Sequence, residues 1–300
     1  MSLQALDYLF TSTGNIELEV FLIDNASKDD SVYLIKKSYP NITLIENKEN
    51  VGFGRANNQV LAMVKGDYVL LLNTDAFVQP DTISKTVAYM QSHAKCGVLG
   101  VKLIGRDGDL QPSCRYFPTP FNTFSARVGL NRLFPNIKLV DDIDWNANNT
   151  QACDWVPGCY YLVSKQVVEQ VGLFDPLYFL YCEEVDHCFS VKNAGWQVHY
   201  YADTSVIHIG GESAKFDNTV EQKSRQVNTL RIESELLYFR KNHGFFGVFT
   251  HIFLTHVADC YELIKHLVRL QFKDIPKNLK SYGLIWQVFI KTRFSTQSTR

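Results

Sequence analysis

Five consecutive apolar residues, Tyr68-Val69-Leu70-Leu71-Leu72, follow Gly66-Asp67 and stop at Asn73-Thr74-Asp75. The run is too short for a typical helix and too continuous for a half-exposed strand. It predicts a strand buried on both faces, as in a parallel sheet. Apolar runs at Leu18–Ile23, Ile42–Ile45 and Gly97–Leu103 predict three more strands. Between them the spacing becomes helical. Leu3, Leu6 and Phe10 share one face, and a short helix from about Asp30 closes before Pro40. Val60, Leu61 and Val64 belong to a third helix with Gly66 as its C-cap, and Ile83, Val87 and Met90 to a fourth with Pro80 at N1. Arg106-Asp107-Gly108-Asp109 predicts a hairpin turn. The alternation argues an α/β fold, a mostly parallel sheet flanked by helices.

From 104 to 153 the pattern weakens. Pro112, Pro118, Pro120 and Pro135 and the polar stretch 141–151 predict a long, mobile region. Regularity returns with a strand over 154–163, a helix at about 165–171, an acidic cluster at 183–186 and a strand ending at His208. Beyond 216 the chain reads as helices without strands, which divides it into a domain at 1–215 and a C-terminal helical segment at 216–300. In that segment Phe245, Phe246, Phe249, Phe253 and their apolar neighbours are interrupted by His251, His256, Asp259 and Lys265. This is too polar to span a bilayer. It suits a helix lying on a membrane surface, with Arg269, Lys273, Lys277 and Lys280 following. Packing on its own domain or on a dimer mate fits equally.

The bulk numbers narrow the picture. A formal net charge of -1 over 300 residues gives no footprint for nucleic acid. No apolar run approaches the ~18 residues of a membrane span. Seven cysteines without a CxxC pair, and no N-terminal apolar run, predict reduced thiols in the cytoplasm.

Strands buried on both faces present ligands at their carboxyl ends, and the central one ends in an amide, a hydroxyl and a carboxylate. Taken alone, Asp75 after a strand is a turn or a helix cap. Other stretches set it in a pattern: Ile23-Asp24-Asn25-Ala26-Ser27, Asn50-Val51-Gly52-Phe53 with Asn57-Asn58, and Leu71-Leu72-Asn73-Thr74-Asp75. Further on stand Asp109-Leu110-Gln111-Pro112-Ser113, Trp155-Val156-Pro157-Gly158, Gly172-Leu173-Phe174-Asp175, Glu183-Glu184-Val185-Asp186 and His208-Ile209-Gly210-Gly211. In this order, over roughly residues 4–215, they resemble glycosyltransferase family 2, the inverting, nucleotide-sugar-dependent enzymes of GT-A fold. The likeness is greatest to the bacterial rhamnosyltransferase-like branch.

The resemblance implies a GT-A (nucleotide-diphospho-sugar transferase, Rossmann-like) domain with a C-terminal helical extension. It implies a divalent metal, Mg²⁺ or Mn²⁺, held by Asp75 and His208, because a departing nucleoside diphosphate gathers negative charge. A hydrogen-bonded structural histidine is the rival reading of His208. Asp24, Asn25, Gly52, Phe53, Arg55, Asn57, Asn73 and Thr74 would accompany Asp75 in binding the nucleotide-sugar. Gly52 and Arg55 also read as a plain helix-entry loop, and Asn73 as a turn residue. Inverting transfer needs one base for the acceptor hydroxyl, which maps to Glu184 where the family carries Asp. Trp155, Gly158, Glu183 and Asp186 fall on the acceptor side, although an acidic first helical turn is also what a helix dipole favours. Implied partners are a nucleotide-sugar donor, dTDP-L-rhamnose first, and a glycan or lipid-linked acceptor in cell-envelope polysaccharide synthesis. The implied place is the cytoplasm, peripherally at the inner face of the plasma membrane, and a homodimer is the other partner considered.

Two departures stand out. Family members begin with a strand before the first helix, and this chain starts at the helix, so two strands are expected to lack a shared neighbour. Ser190 stands where an arginine is expected. A truncated, non-catalytic sugar-nucleotide-binding or scaffold relative is therefore the alternative.

Overall fold

The computed structural model describes residues 1–12, 14–141, 145–210, 220–270 and 275–300, and for 220–227 and 275–282 the backbone alone. The chain divides into two compact units, one of residues 1–115, 143–176 and 183–215, the other of 116–142, 177–182 and 216–300.

In the first unit the predicted alternation is present. α1 is Ser2–Thr11, β1 Phe21–Asp24, α2 Ser31–Ser38, β2 Thr43–Glu46, α3 Phe53–Asn58 and β3 Tyr68–Leu72. β4 (Ala76–Val78), α4 (Thr82–Ser92), β5 (Cys96–Ile104) and β6 (Leu110–Gln111) follow. α3 ends at Asn58 instead of continuing to Gly66. Asn57 Nδ2 donates to the Phe53 carbonyl and Asn58 Nδ2 to the Phe174 carbonyl, so polar side chains fix a short helix that gives way to turns. Pro80 lies before α4, whose N-cap is Asp81.

β1 and β2 pair in parallel as a two-stranded sheet of their own. The seven-stranded sheet has the order β3-β8-β5-β9-β4, with β6 on β5 and β7 on β9. Here β7 is Gln151–Cys153, β8 Tyr160–Ser164 and β9 Gln197–His208. It is mixed: β5 and β9 run parallel, while β8 enters antiparallel between β3 and β5. Apolar runs report burial on both faces and not strand direction, so the reversal of β8 leaves no mark on the pattern. β8 also begins six residues later than the strand expected from 154.

Alternation along β8 divides the core. Tyr160 and Leu162 join Ile83, Val87 and Met90 of α4 and Leu99 and Val101 of β5. Tyr161 points the other way, where its hydroxyl meets Nδ1 of His187 at 2.6 Å on α7 (Glu183–Asn193). α6 (Lys165–Val171) links β8 to this layer, its first turn capped by Ser164 Oγ accepting from the Val167 N–H. All seven cysteines are free thiols.

The second unit is helical. Where a mobile stretch was expected, Pro120–Val128 forms α5. Thr119 and Asn122 close a capping box, and Pro120 sits at N1. α8 (Val220–Val268) is two helical arms meeting at Gly244, whose φ of 70° breaks the helix, and α9 is Ile275–Lys291. Arg127 of α5 reaches α8, its Nη2 2.6 Å from Asp259 Oδ1 and 3.2 Å from Glu262 Oε1. Among the described residues no helix is long and apolar enough to cross a membrane.

Candidate active site

Strand pairing sets the distances. In the β3–β8 ladder Leu72 faces Tyr160, so the next step brings the Asn73 N–H to the Cys159 carbonyl at 3.1 Å. In the β4–β9 ladder Ala76 faces His208, and the Ile209 N–H donates to the Asp75 carbonyl at 3.0 Å. Asp75 is thus held between two ladders, its carboxylate Oδ1 3.7 Å from His208 Nε2 and almost fully buried. His208 is oriented from behind. Its Nδ1 lies 2.8 Å from Oε1 of Gln111, whose amide Nε2 donates to the His208 carbonyl at 2.9 Å. An amide oxygen only accepts, so Nδ1 carries the proton and Nε2 turns its lone pair toward Asp75. Burial holds the His208 ring below the usual histidine range, against the pull of the Asp75 charge. One carboxylate and one neutral imidazole converging in a nearly dry place fit a divalent cation whose other positions are filled by diphosphate oxygens and water. Among the described residues no third His, Cys, Asp or Glu joins them.

The second carboxyl pair opens α7. Glu184 is partly exposed. Burial raises it above the ordinary carboxyl range, while its own N–H, the Arg115 charge and the Gly158 N–H pull it down. A Cβ built on Gly158 comes 3.6 Å from the Phe53 ring and 3.9 Å from Glu184 Cδ. Gly158 therefore separates the first residue of α3 from Glu184. Glu183 lies inward, 1% exposed, with neither carboxyl oxygen hydrogen-bonded. Burial first, and then the Glu184 charge, raise it well above the carboxyl range. Asp186, too, is buried. These two acids of the acceptor-side set stand among core side chains and not on an open face. The thiol of Cys159 is pushed up to about 12 by burial, with further contributions from the charges of Asp75 and Glu184.

The remaining predicted residues hold loops. Asn25 gathers the stretch before α3: its Nδ2 donates to Asn50 Oδ1 (2.8 Å), and its Oδ1 accepts from Asn47 Nδ2 (3.2 Å) and the Val51 N–H (3.0 Å). Asp24 accepts from the Ser27 N–H in a tight turn, and Arg55 Nε donates to the Pro176 carbonyl. Gly52 has φ 92°, a conformation that favours glycine. Thr74 is exposed. Trp155 is buried, bridged to Arg115 through backbone bonds, with the guanidinium 4.7 Å from its ring centre. Gly211, Glu212 and Ser213, which follow His208, lie outside the described residues. Gln111 and Cys159 have no role assigned from the sequence. Gln111 lies in a quoted motif, and only the β5–β6 hairpin, where it faces Leu103, brings it to His208.

Residues 3–137 match the family model described as Glycosyl transferase family 2. That points to the class: over this range the chain is similar to family 2 glycosyltransferases. Particular relatives follow. The chain is 27% identical over 216 residues to N-acetylglucosaminyl-diphospho-decaprenol L-rhamnosyltransferase of Mycobacterium tuberculosis, covering 64% of this chain and 66% of that protein. It is 30% identical over 169 residues to the rhamnosyltransferase WbbL of Escherichia coli K12, covering 52% and 60%. The chain thus spans less than two thirds of these relatives' lengths. Its fold resembles that of the mannosyltransferase PcManGT from Pyrobaculum calidifontis, solved with GDP-Man and Mn²⁺, at a TM-score of 0.53 and 14% identity over 98% of this chain and 83% of that one. At that identity the likeness speaks for the GT-A-like fold alone.

Proposed function

We propose that the chain is an inverting, metal-dependent glycosyltransferase that moves a sugar, L-rhamnose from dTDP-rhamnose first, from a nucleotide-sugar to a hydroxyl of a glycan or lipid-linked acceptor in bacterial cell-envelope polysaccharide synthesis. The observation that carries this reading is the buried Asp75 carboxylate facing the oriented His208, with Glu184 beside Gly158 as the second carboxylate. In it Asp75 and His208 hold Mg²⁺ or Mn²⁺, which offsets the charge of the departing diphosphate when bound. Asp24, Asn25, Gly52, Phe53, Arg55, Asn57, Asn73 and Thr74 contact the donor or hold the loops that do. Glu184 takes the acceptor's proton as its oxygen bonds the anomeric carbon and the bond to the diphosphate breaks. Trp155 and Gly158 shape the acceptor side. Glu183 and Asp186 support it from within. Residues 1–215 are the catalytic part in this reading. Residues 216–300 bring it to the inner face of the plasma membrane or to a second copy.

Calorimetric titration of dTDP and UDP with and without Mn²⁺ tests the donor side. Expected is metal-dependent binding that is lost in Asp75→Ala. Glu184→Gln is expected to keep that binding while transfer falls by about 10²–10⁴. Failure to bind either nucleotide would refute the active-enzyme reading and favour the non-catalytic scaffold relative.

A further inference from the structure

The second arm of α8 buries His251 and Asp259 along with Val248, Ile252 and Ala258, and Asp259 and Glu262 pair with Arg127. Much of its exposed surface is apolar. Phe246 (85% exposed), Phe249, Phe253 (66%), Val257, Ile264 and Val268 (78%) recur at steps of three, four or seven residues. They form one stripe about 33 Å long at 1.5 Å per residue. Trp286, Ile290 and Phe294 add exposed apolar surface on and after α9, at steps of four. A phenylalanine presents roughly 200 Å², so Phe246 and Phe253 alone expose about 300 Å², already the size of a large patch on a soluble monomer.

Charge selects the occupant. Among the described residues from Lys241 to Arg300, every exposed charged side chain is basic: Lys241, Lys265, Arg269, Lys291, Arg293 and Arg300. The acidic residues described in the same stretch, Asp259 and Glu262, pair with Arg127, and Asp259 is buried. A second copy laid on this face would set basic residues against basic residues. An anionic bilayer surface would meet them with opposite charge and take the aromatic stripe into its headgroup region.

We infer that this face of α8 and α9 docks flat on an anionic lipid surface, as an interfacial element that does not cross it. This deepens the proposed lipid-linked acceptor, and it is separable from that reading because membrane binding needs no turnover. The test is flotation of the full chain with vesicles of phosphatidylcholine alone and of phosphatidylcholine mixed with phosphatidylglycerol. Expected is binding to the anionic vesicles that weakens with salt and falls on the order of tenfold to hundredfold in Phe246→Ser/Phe253→Ser. Lys265→Glu/Arg269→Glu is expected to lower it by about fivefold per charge removed. These side chains are exposed, so far-ultraviolet circular dichroism and melting of the variants should match the parent. Equal binding to neutral vesicles, or binding indifferent to both variant pairs, would overturn the proposal. So would a stable dimer, by light scattering, that the serine substitutions dissociate while no vesicle is bound.

Discussion

Replacing Gln111 by leucine removes the acceptor behind His208 while keeping similar bulk on β6. Two hydrogen bonds go with it, the 2.8 Å contact to Nδ1 and the 2.9 Å bond to the His208 carbonyl. The ring is only 18% exposed, so water cannot fully replace the lost partner. Without an acceptor at Nδ1 the imidazole is free to carry its proton on Nε2, where the N–H would point toward Asp75 3.7 Å away and present no lone pair to a cation. A lost hydrogen bond that leaves a partly buried group unpaired costs about 1–3 kcal/mol, a factor of roughly 5–150 in a binding constant. Outer-sphere partners of histidine ligands contribute about 10–100-fold to metal affinity. The assay is titration of Mn²⁺ into the chain with dTDP present, followed by calorimetry and by the paramagnetic signal of free Mn²⁺. Gln111→Leu should bind at least about tenfold more weakly. Gln111→Glu, which still accepts from Nδ1, should bind nearly as the parent does. A folded Gln111→Leu chain that binds Mn²⁺ like the parent would refute the orienting role, and with it the fit of His208 to a metal.

Three further outcomes are expected. His251, buried and stacked 4.2 Å from the Phe239 ring, is held down to about 4 by burial and then by the Arg127 charge, from an ordinary 6.5. The folded state refuses a proton that the unfolded chain accepts, so stability should fall as pH drops from 6.5 to about 4, by up to roughly 3 kcal/mol, and His251→Gln should flatten that slope in thermal melts. Glu183 has the opposite sign. Its carboxyl keeps its proton to a higher pH in the fold than in the unfolded chain, so Glu183→Gln should raise the melting temperature near pH 7, with the gain fading as pH falls toward 4.5. Gly54→Ala would place a methyl 3.0 Å from Phe174 Cβ and 3.5 Å from Glu183 Cγ. The overpacking should cost about 1–3 kcal/mol in denaturant unfolding and displace α3, measurable as weaker nucleotide binding.

Much of the first unit is legible from the chain alone, because its signals are local. Tyr68–Leu72 is a strand since five apolar residues stop at three polar ones, and Ile83, Val87 and Met90 share a buried helix face. What escapes such reading is pairing. Nothing in Tyr160–Ser164 says that β8 runs against β3, and nothing in Gln111 says that a hairpin returns it to His208. α5 escaped for another reason. Its prolines weigh as breakers in a stretch rich in them, while Thr119-Pro120-x-Asn122 is also a helix start. Gly54 shows the same limit, since the atoms nearest to it belong to Phe174 and Glu183, residues more than a hundred positions away.

The reversal of β8 has a consequence for how such a site can be altered. Because Leu72 faces Tyr160, Asn73 meets Cys159 on the next rung, and Gly158 with its neighbour Glu184 follows one step beyond. The offset of Gly158 from Asn73 is thus counted in rungs and not in loop lengths. One residue inserted between Gly158 and Tyr161 would turn every later side chain of β8 to the opposite face and carry Tyr161 away from His187. One residue inserted in the turn Arg106–Gly108 would change no rung of that ladder. An engineer wishing to change what the site accepts has freedom in the connections, and almost none along the strand between them.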